Sequence, residues 1–487
     1  MCASSRRLSC WTFLSATLAA MFVAVPAHAQ DYWHEEDIER PHARVDVPLV
    51  DAPYNFVERR RSYSWFQSPS MQQSLGITAG LTQSVHAGLG LALDPYAGTF
   101  WPRFFTRAGF VAFDFLTADL PGFSGWQHAE WHRAVVTNRN VKSYNEINDL
   151  RTNAKSGTIG VSGERDESLA RMKKDHNRDF VRLQEAGFEA QLELNKRLNE
   201  EAFFFGTRTW NVGTLWFNYL NSYLYLHACS EGKTDEIVND LYDDRETEQQ
   251  RDFAGPDCTG WVYDLHRPDE PYAARGKHPS GVGIDRYRTW GDLTRDEHRY
   301  LARTSRMALL NFIDPFAYSF DDFWWQTQDR ANFYWNARVF HYLTSFGGDT
   351  GTAFYYKERS FKAYGALHMY HNKSGVFPGL EFKWFDAWTG DGTMGTREAS
   401  QTRSSVASPL AALSLSPRVM LWTQPRGLSF RTAQPRLGSL VSLRADWREP
   451  RWLQPWVEVE SKSEGWVAGV VNQGSGVAGR VGVASEF

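Results

Sequence analysis

The sequence predicts an α+β protein: a mostly helical, aromatic-rich domain followed by a C-terminal antiparallel β domain, built as a sheet or a small barrel. Three observations lead there. From Asp166 onward Phe180, Leu183, Gly187, Ala190, Leu194 and Leu198 recur at spacings of three and four, the mark of a helix with one apolar stripe. Beyond Gly348 the period falls to two, in "WVEVE", "GWVAGVV" and "AGRVGVASEF", with "SKSE" and "NQGSG" as turns. Aromatic residues make up 15% of the chain, 20 of them Trp, enough for a thick core or a girdle at a membrane surface.

Taken in order, the chain opens with Arg6 and Arg7, an apolar run from Trp11 to Val25 and then "AHAQ". This pattern predicts a cleaved signal peptide over residues 1–29, and so export to the periplasm, the outer membrane or the medium. Losing two arginines and no acid moves the formal charge from −4 to −6, which gives no reason to expect nucleic acid as a partner. Residues 30–74 read as an extended lead-in, and 75–349 as the helical domain. Gly- and aromatic-rich pieces between Leu75 and Leu120 suit either buried helices or short strands. A helix is expected from Ser124, with Ser124 as N-cap, and a longer one from Asp166. "VGTLWFNYLNSYLYLHAC" predicts a further apolar helix. Thr294 and Glu297 form a capping-box pattern, and an aromatic helix is expected over Phe333 to Phe346. The β domain is assigned to 350–487, with room for about eight strands, the smallest barrel size, interrupted by the polar "TREASQTRSS".

Within "WQHAEWHRAVV", residues 126–136, His128 and His132 lie four apart. On a helix they share a face, about 40° from one another, so both imidazoles reach one divalent ion. The stretch resembles the His-Glu-x-x-His helix of gluzincin-type zinc metallopeptidases, over residues 126–136 and more loosely 178–192. The resemblance implies zinc on His128 and His132, a third ligand from Glu185 or Glu189, with Glu189 preferred beside the small residues of "AGFE", and a peptide or other envelope substrate. The sequence departs from that pattern where the catalytic glutamate should stand: the residue is Ala129. Glu130 points about 160° from His132 on a regular helix. The base is then Glu185, or Glu130 on a distorted helix, or the centre binds metal without hydrolysis. Arg133 is expected as a solvated surface arginine, the alternative being a pair with Glu130 or another nearby acid.

Other polar groups are sorted the same way. Arg275, His278, Asp285 and Arg286 sit in a Gly-rich loop and could line a cleft for substrate. Cys229 and Cys258, the two cysteines left after the signal, are expected to pair in an oxidising compartment. His227 reads as a core histidine. His368 and His371, three apart on a strand, face opposite sides and share no ion. No phosphate loop, dinucleotide fingerprint or serine nucleophile elbow is present. The last strand, with Val477, Gly479, Val481, Val483 and Ser485 on one face, resembles the terminal strand of outer-membrane β-barrels. Two readings follow: an exported metal-dependent hydrolase, or a non-enzymatic outer-membrane protein anchored by its β domain.

Overall fold

Alternation begins earlier than Gly348. "NFYWNARVFHYLT" is not the expected aromatic helix but a strand, Asn332–Thr344, because its β-branched and aromatic residues pair across to Gly347–Glu358 over their whole length. The computed structural model describes residues 43–57, 68–93, 100–149, 160–207, 210–243, 247–320, 323–326, 332–358, 361–390 and 412–487. The expected signal peptide and "TREASQTRSS" lie outside these.

The fold is α+β, with one large antiparallel sheet. Its strands are β1 (Arg44–Ala52), β2 (Phe323–Gln326), β3 (Asn332–Thr344), β4 (Gly347–Glu358), β5 (Phe361–His371), β6 (Val376–Phe385), β7 (Leu413–Pro425), β8 (Pro435–Trp447), β9 (Gln454–Lys462) and β10 (Gly476–Glu486). The order is β1-β10-β9-β8-β7-β6-β5-β4-β3-β2, and a short piece, Trp388–Thr389, also pairs with β7. Every neighbour after β1 is consecutive in the chain, so the sheet is an up-and-down meander. The exception is β1, which comes from the lead-in and pairs with the last strand.

Nine helices carry the rest of the argument: α1 (Met71–Leu93), α2 (Phe100–Thr117), α3 (Ser124–Thr137), α4 (Asp166–Asp175), α5 (Asn177–Phe205), α6 (Val212–Ser230), α7 (Asp235–Asp243), α8 (Asp257–His266) and α9 (Arg295–Ala308). Between Leu75 and Leu120 the described residues thus form helices α1 and α2 rather than strands. The helix expected from Asp166 is two, broken at His176, whose φ of −141° and ψ of 48° are not helical. Ser124 is not an N-cap: it is the first helical residue, and its hydroxyl donates to Asn218 Oδ1. The capping box of α9 is present, with Glu297 N–H donating to Thr294 Oγ1 and Thr294 N–H to Glu297 Oε2 at 2.7 Å.

The apolar stripe of α5 packs against α3 and is buried throughout. The opposite side of its C-terminal half is charged and enclosed by the sheet. Arg197 reaches Asp46 on β1, Glu193 accepts from Tyr342 on β3, and Lys383 on β6 reaches Glu200. One helix therefore touches strands near both ends of the meander, which requires the sheet to curl around it. The free edge of β1 is covered by α1: Arg44 N–H donates to Gln83 Oε1 at 2.9 Å and Gln73 Nε2 to Leu49 O at 3.2 Å.

Candidate functional site

His128 and His132 project from one face of α3 toward the first residue of α8, Asp257. The nearer Asp257 oxygen, Oδ2, lies 3.3 Å from His128 Nε2 and 3.5 Å from His132 Nε2. The imidazole centroids are 4.9 Å apart, and one ligand atom from each of the three residues lies within 4.8 Å of the others. The carbonyl of Leu183 on α5 accepts from His132 Nδ1 at 2.5 Å. That bond fixes the tautomer and leaves the Nε2 lone pair facing Asp257, the way a metal-bound histidine is held by its other nitrogen. His132 Nε2 is buried and makes no hydrogen bond.

Gly187 on α5 makes room for this arrangement. A Cβ there would lie 2.2 Å from His128 Nε2 and 2.4 Å from His132 Nε2, so no other residue fits without displacing an imidazole. Asp257 is held from behind: its N–H donates to Tyr225 Oη at 2.9 Å, and the adjacent Cys258 is bonded to Cys229, joining α8 to α6 as expected.

Burial would raise the Asp257 carboxyl, but the two imidazoles outweigh it and bring it to about 2. Burial lowers His128. His132 also resists protonation through burial, yet Asp257 prevails and raises it. The residues therefore present one carboxylate and two imidazoles to a common point, a donor set that suits zinc and related divalent ions. Two further acids border it. Asp252 is pushed up to about 6 by burial and by Asp257, with both oxygens taken by the N–H groups of Val161, Ala254 and Gly255. Asp119 is open to solvent, and partial desolvation of its carboxyl raises it against the opposing pull of His128.

The expected acids are elsewhere. Glu189 is not beside the histidines: Arg182 holds it with two hydrogen bonds, 2.7 and 3.2 Å, and Gly469 N–H donates to it at 2.8 Å. Glu185 accepts from Trp466 Nε1 at 3.1 Å, and burial together with Glu189 lifts its carboxyl well above the usual range. The reason is helical geometry. Each lies two residues from Gly187, hence about 200° around α5 from the face that meets the imidazoles. Glu130 is not a base either, since it is buried and bound to Arg133 and to Asn145 Nδ2 at 2.9 Å. Arg133 is itself fully buried rather than solvated, bonded also to Ser68, Thr137 and Pro69 O.

The polar groups of the Gly-rich loop are taken up by partners within the protein. Arg275 is paired with Asp264 and the Arg286 carbonyl, Arg286 with Asp166, Asp285 with Tyr242 and Arg288, and His278 Nδ1 meets Ser280 Oγ at 2.9 Å. These pairs build the loop. His227 is partly exposed, stacked on Tyr223 and 3.2 Å from Glu231. His368 is buried beside Asp349 at 2.7 Å, while His371 stacks on His341, so the two do not meet.

Asp257 was not singled out in the sequence, because no helix was expected to begin there and nothing local links it to the two histidines. Its one signal was position, next to a cysteine expected to bridge. No family model, curated protein or solved structure matches the chain.

Proposed function

We propose that this chain is an exported metal-dependent hydrolase in which His128, His132 and Asp257 hold zinc. The observation that carries the reading is the convergence of three ligand atoms over a glycine, with the His132 tautomer set by a backbone carbonyl. Zinc on three protein ligands keeps an open position and supplies Lewis acidity toward a carbonyl and toward water. The chain's own part is to fix the ligands and to supply a proton acceptor. Asp119 is the acid assigned to that role, since it is exposed, close enough to His128 to feel its charge, and raised from the ordinary carboxylate value by desolvation. The substrate class that fits is a peptide or other acyl compound of the cell envelope.

The test is metal content of the mature protein purified without a tag. Near-stoichiometric zinc is expected in the parent and in Glu189→Gln, and loss of zinc in His128→Ala, His132→Ala and Asp257→Ala. A folded protein that takes up no zinc would end the proposal. In a second step, zinc-dependent cleavage of a fluorescence-quenched peptide library is expected from the parent. Asp119→Asn should keep its zinc and lose at least tenfold in rate.

A further inference from the structure

The outer face of the sheet has the opposite chemistry from the surface of a protein in water. From β6 to β10 the outward positions hold only uncharged residues: Val376, Pro378, Leu380, Phe382 and Trp384 on β6 alone, with the same pattern on the next four strands. They are paired side by side. Leu367, Leu380 and Leu421 form one row over β5, β6 and β7, and Phe382, Val419 and Val441 another over β6, β7 and β8. Leu380, Leu421 and Val441 are 50%, 51% and 52% exposed. The charged residues of these strands, such as Glu381, Arg418, Arg444, Glu460 and Arg480, occupy the inward positions. There they form ion pairs with one another, β1 and α5.

A second observation concerns the sheet's ends. An uncovered strand edge cannot stand in hydrocarbon, where its backbone groups find no water. The edge of β1 is covered by α1, which meets backbone groups with glutamine side chains and carries no Asp, Glu, Lys or Arg in 23 residues. Helix α6 likewise carries none in 19. A third is the rim where β6 and β8 end and β7 begins: Trp388, Trp447 and Trp452 are exposed there, as tryptophans are at a membrane–water boundary.

We infer that the outer face of β5 to β10 is embedded in a lipid bilayer, its partner being acyl chains. On β8 the uncharged outward run from Leu437 to Trp447 covers roughly 33 Å along the strand at about 3.3 Å per residue. At the usual barrel tilt that is an apolar band about 25 Å tall, the height found in outer-membrane barrels. No described helix is long and apolar enough to cross a membrane by itself, so the sheet, filled by α5 and flanked by α1, is the membrane element.

The test places nitroxide labels on Leu380→Cys, Leu421→Cys and Val441→Cys, and on Glu167→Cys of α4 as a solvated control. The mature protein is then reconstituted in phosphatidylcholine–phosphatidylglycerol vesicles. The three sheet labels are expected to collide with oxygen several-fold more than with a water-soluble nickel chelate, the control showing the reverse. Unlabelled protein should float with the vesicles, with tryptophan fluorescence quenched by brominated phosphatidylcholine. Equal access of the chelate to all four labels would overturn the inference. So would a detergent-free soluble protein whose sheet labels couple to each other across a second copy.

Discussion

Gly187 concentrates the chemistry of the site in one missing side chain. Alanine is favoured over glycine inside a helix by about 1 kcal/mol, so Gly187→Ala on an indifferent surface would stabilise α5. Here the added Cβ meets both imidazoles at 2.2–2.4 Å. The expected result is a net loss of about 1–3 kcal/mol from overpacking, read from the denaturation midpoint, together with loss of zinc. Retained zinc and a raised midpoint would disprove the placement of α5 against α3. Asp264 gives an independent prediction. Burial opposes its ionisation, but Arg275 and Lys173 bring its carboxyl down from 3.8 to about 2. A folded value below the unfolded one stabilises above about pH 4, and the contribution, about 2–3 kcal/mol at roughly 1.4 kcal/mol per unit, is lost as pH falls toward 2. Asp264→Asn should therefore lower stability at neutral pH and flatten its decline between pH 4 and 2. An acid-unfolding profile identical to the parent's would contradict this. At this scale the histidine pair was legible in the sequence, because four-residue spacing fixes a shared face. Its third partner was not, because Asp257 lies 125 residues beyond His132 and reaches it only through tertiary packing.

Elements were legible where one period dominated. The stripe of α5, the capping box of α9 and the alternation of β9 and β10 all follow from local spacing. Segments dense in aromatics were ambiguous, as β3 illustrates: "NFYWNARVFHYLT" has large apolar residues at helical and strand spacings alike, and only its partner β4 decides. The charged lead-in concealed β1, whose inward Arg44, Asp46 and Asp51 serve ion pairs. The disulfide acts on elements rather than on single side chains. It closes a 29-residue separation between α6 and α8 and, on the chain-entropy model, stabilises by about 3–4 kcal/mol. Because Cys258 adjoins Asp257, Cys229→Ser with Cys258→Ser should weaken zinc affinity as well as stability, measurable by competition with a chromogenic chelator. A loss of stability with unchanged affinity would show that Tyr225 alone suffices to position α8.

Across the described residues, the candidate metal site and the Ala43–Phe487 pair sit at opposite ends of the sheet. Trp261 of α8 donates to Thr344 O at the β3–β4 turn, and Gln473 of the β9–β10 turn bonds Asp179 of α5. Ala43 and Phe487 meet at the other rim through paired backbone bonds. In sealed vesicles, a membrane-impermeant maleimide should therefore modify Lys277→Cys and a cysteine appended after Phe487 from opposite sides. Modification of both from one side would contradict a sheet that crosses the bilayer. The broad α+β plan was readable from periodicity, whereas the distribution of charge between inner and outer faces was not, since it requires knowing which strands are neighbours and what fills the space they enclose.

The pairing of β1 with β10 also bears on time. Arg44 and Glu486 are 442 residues apart, yet their side chains touch and their strands share a ladder. The ribosome makes β1 long before β10, so β1 stays without this neighbour while everything between them is synthesised. Removal of β10 would leave β1 without its ladder partner, which makes β10 the strand that completes the sheet around α5.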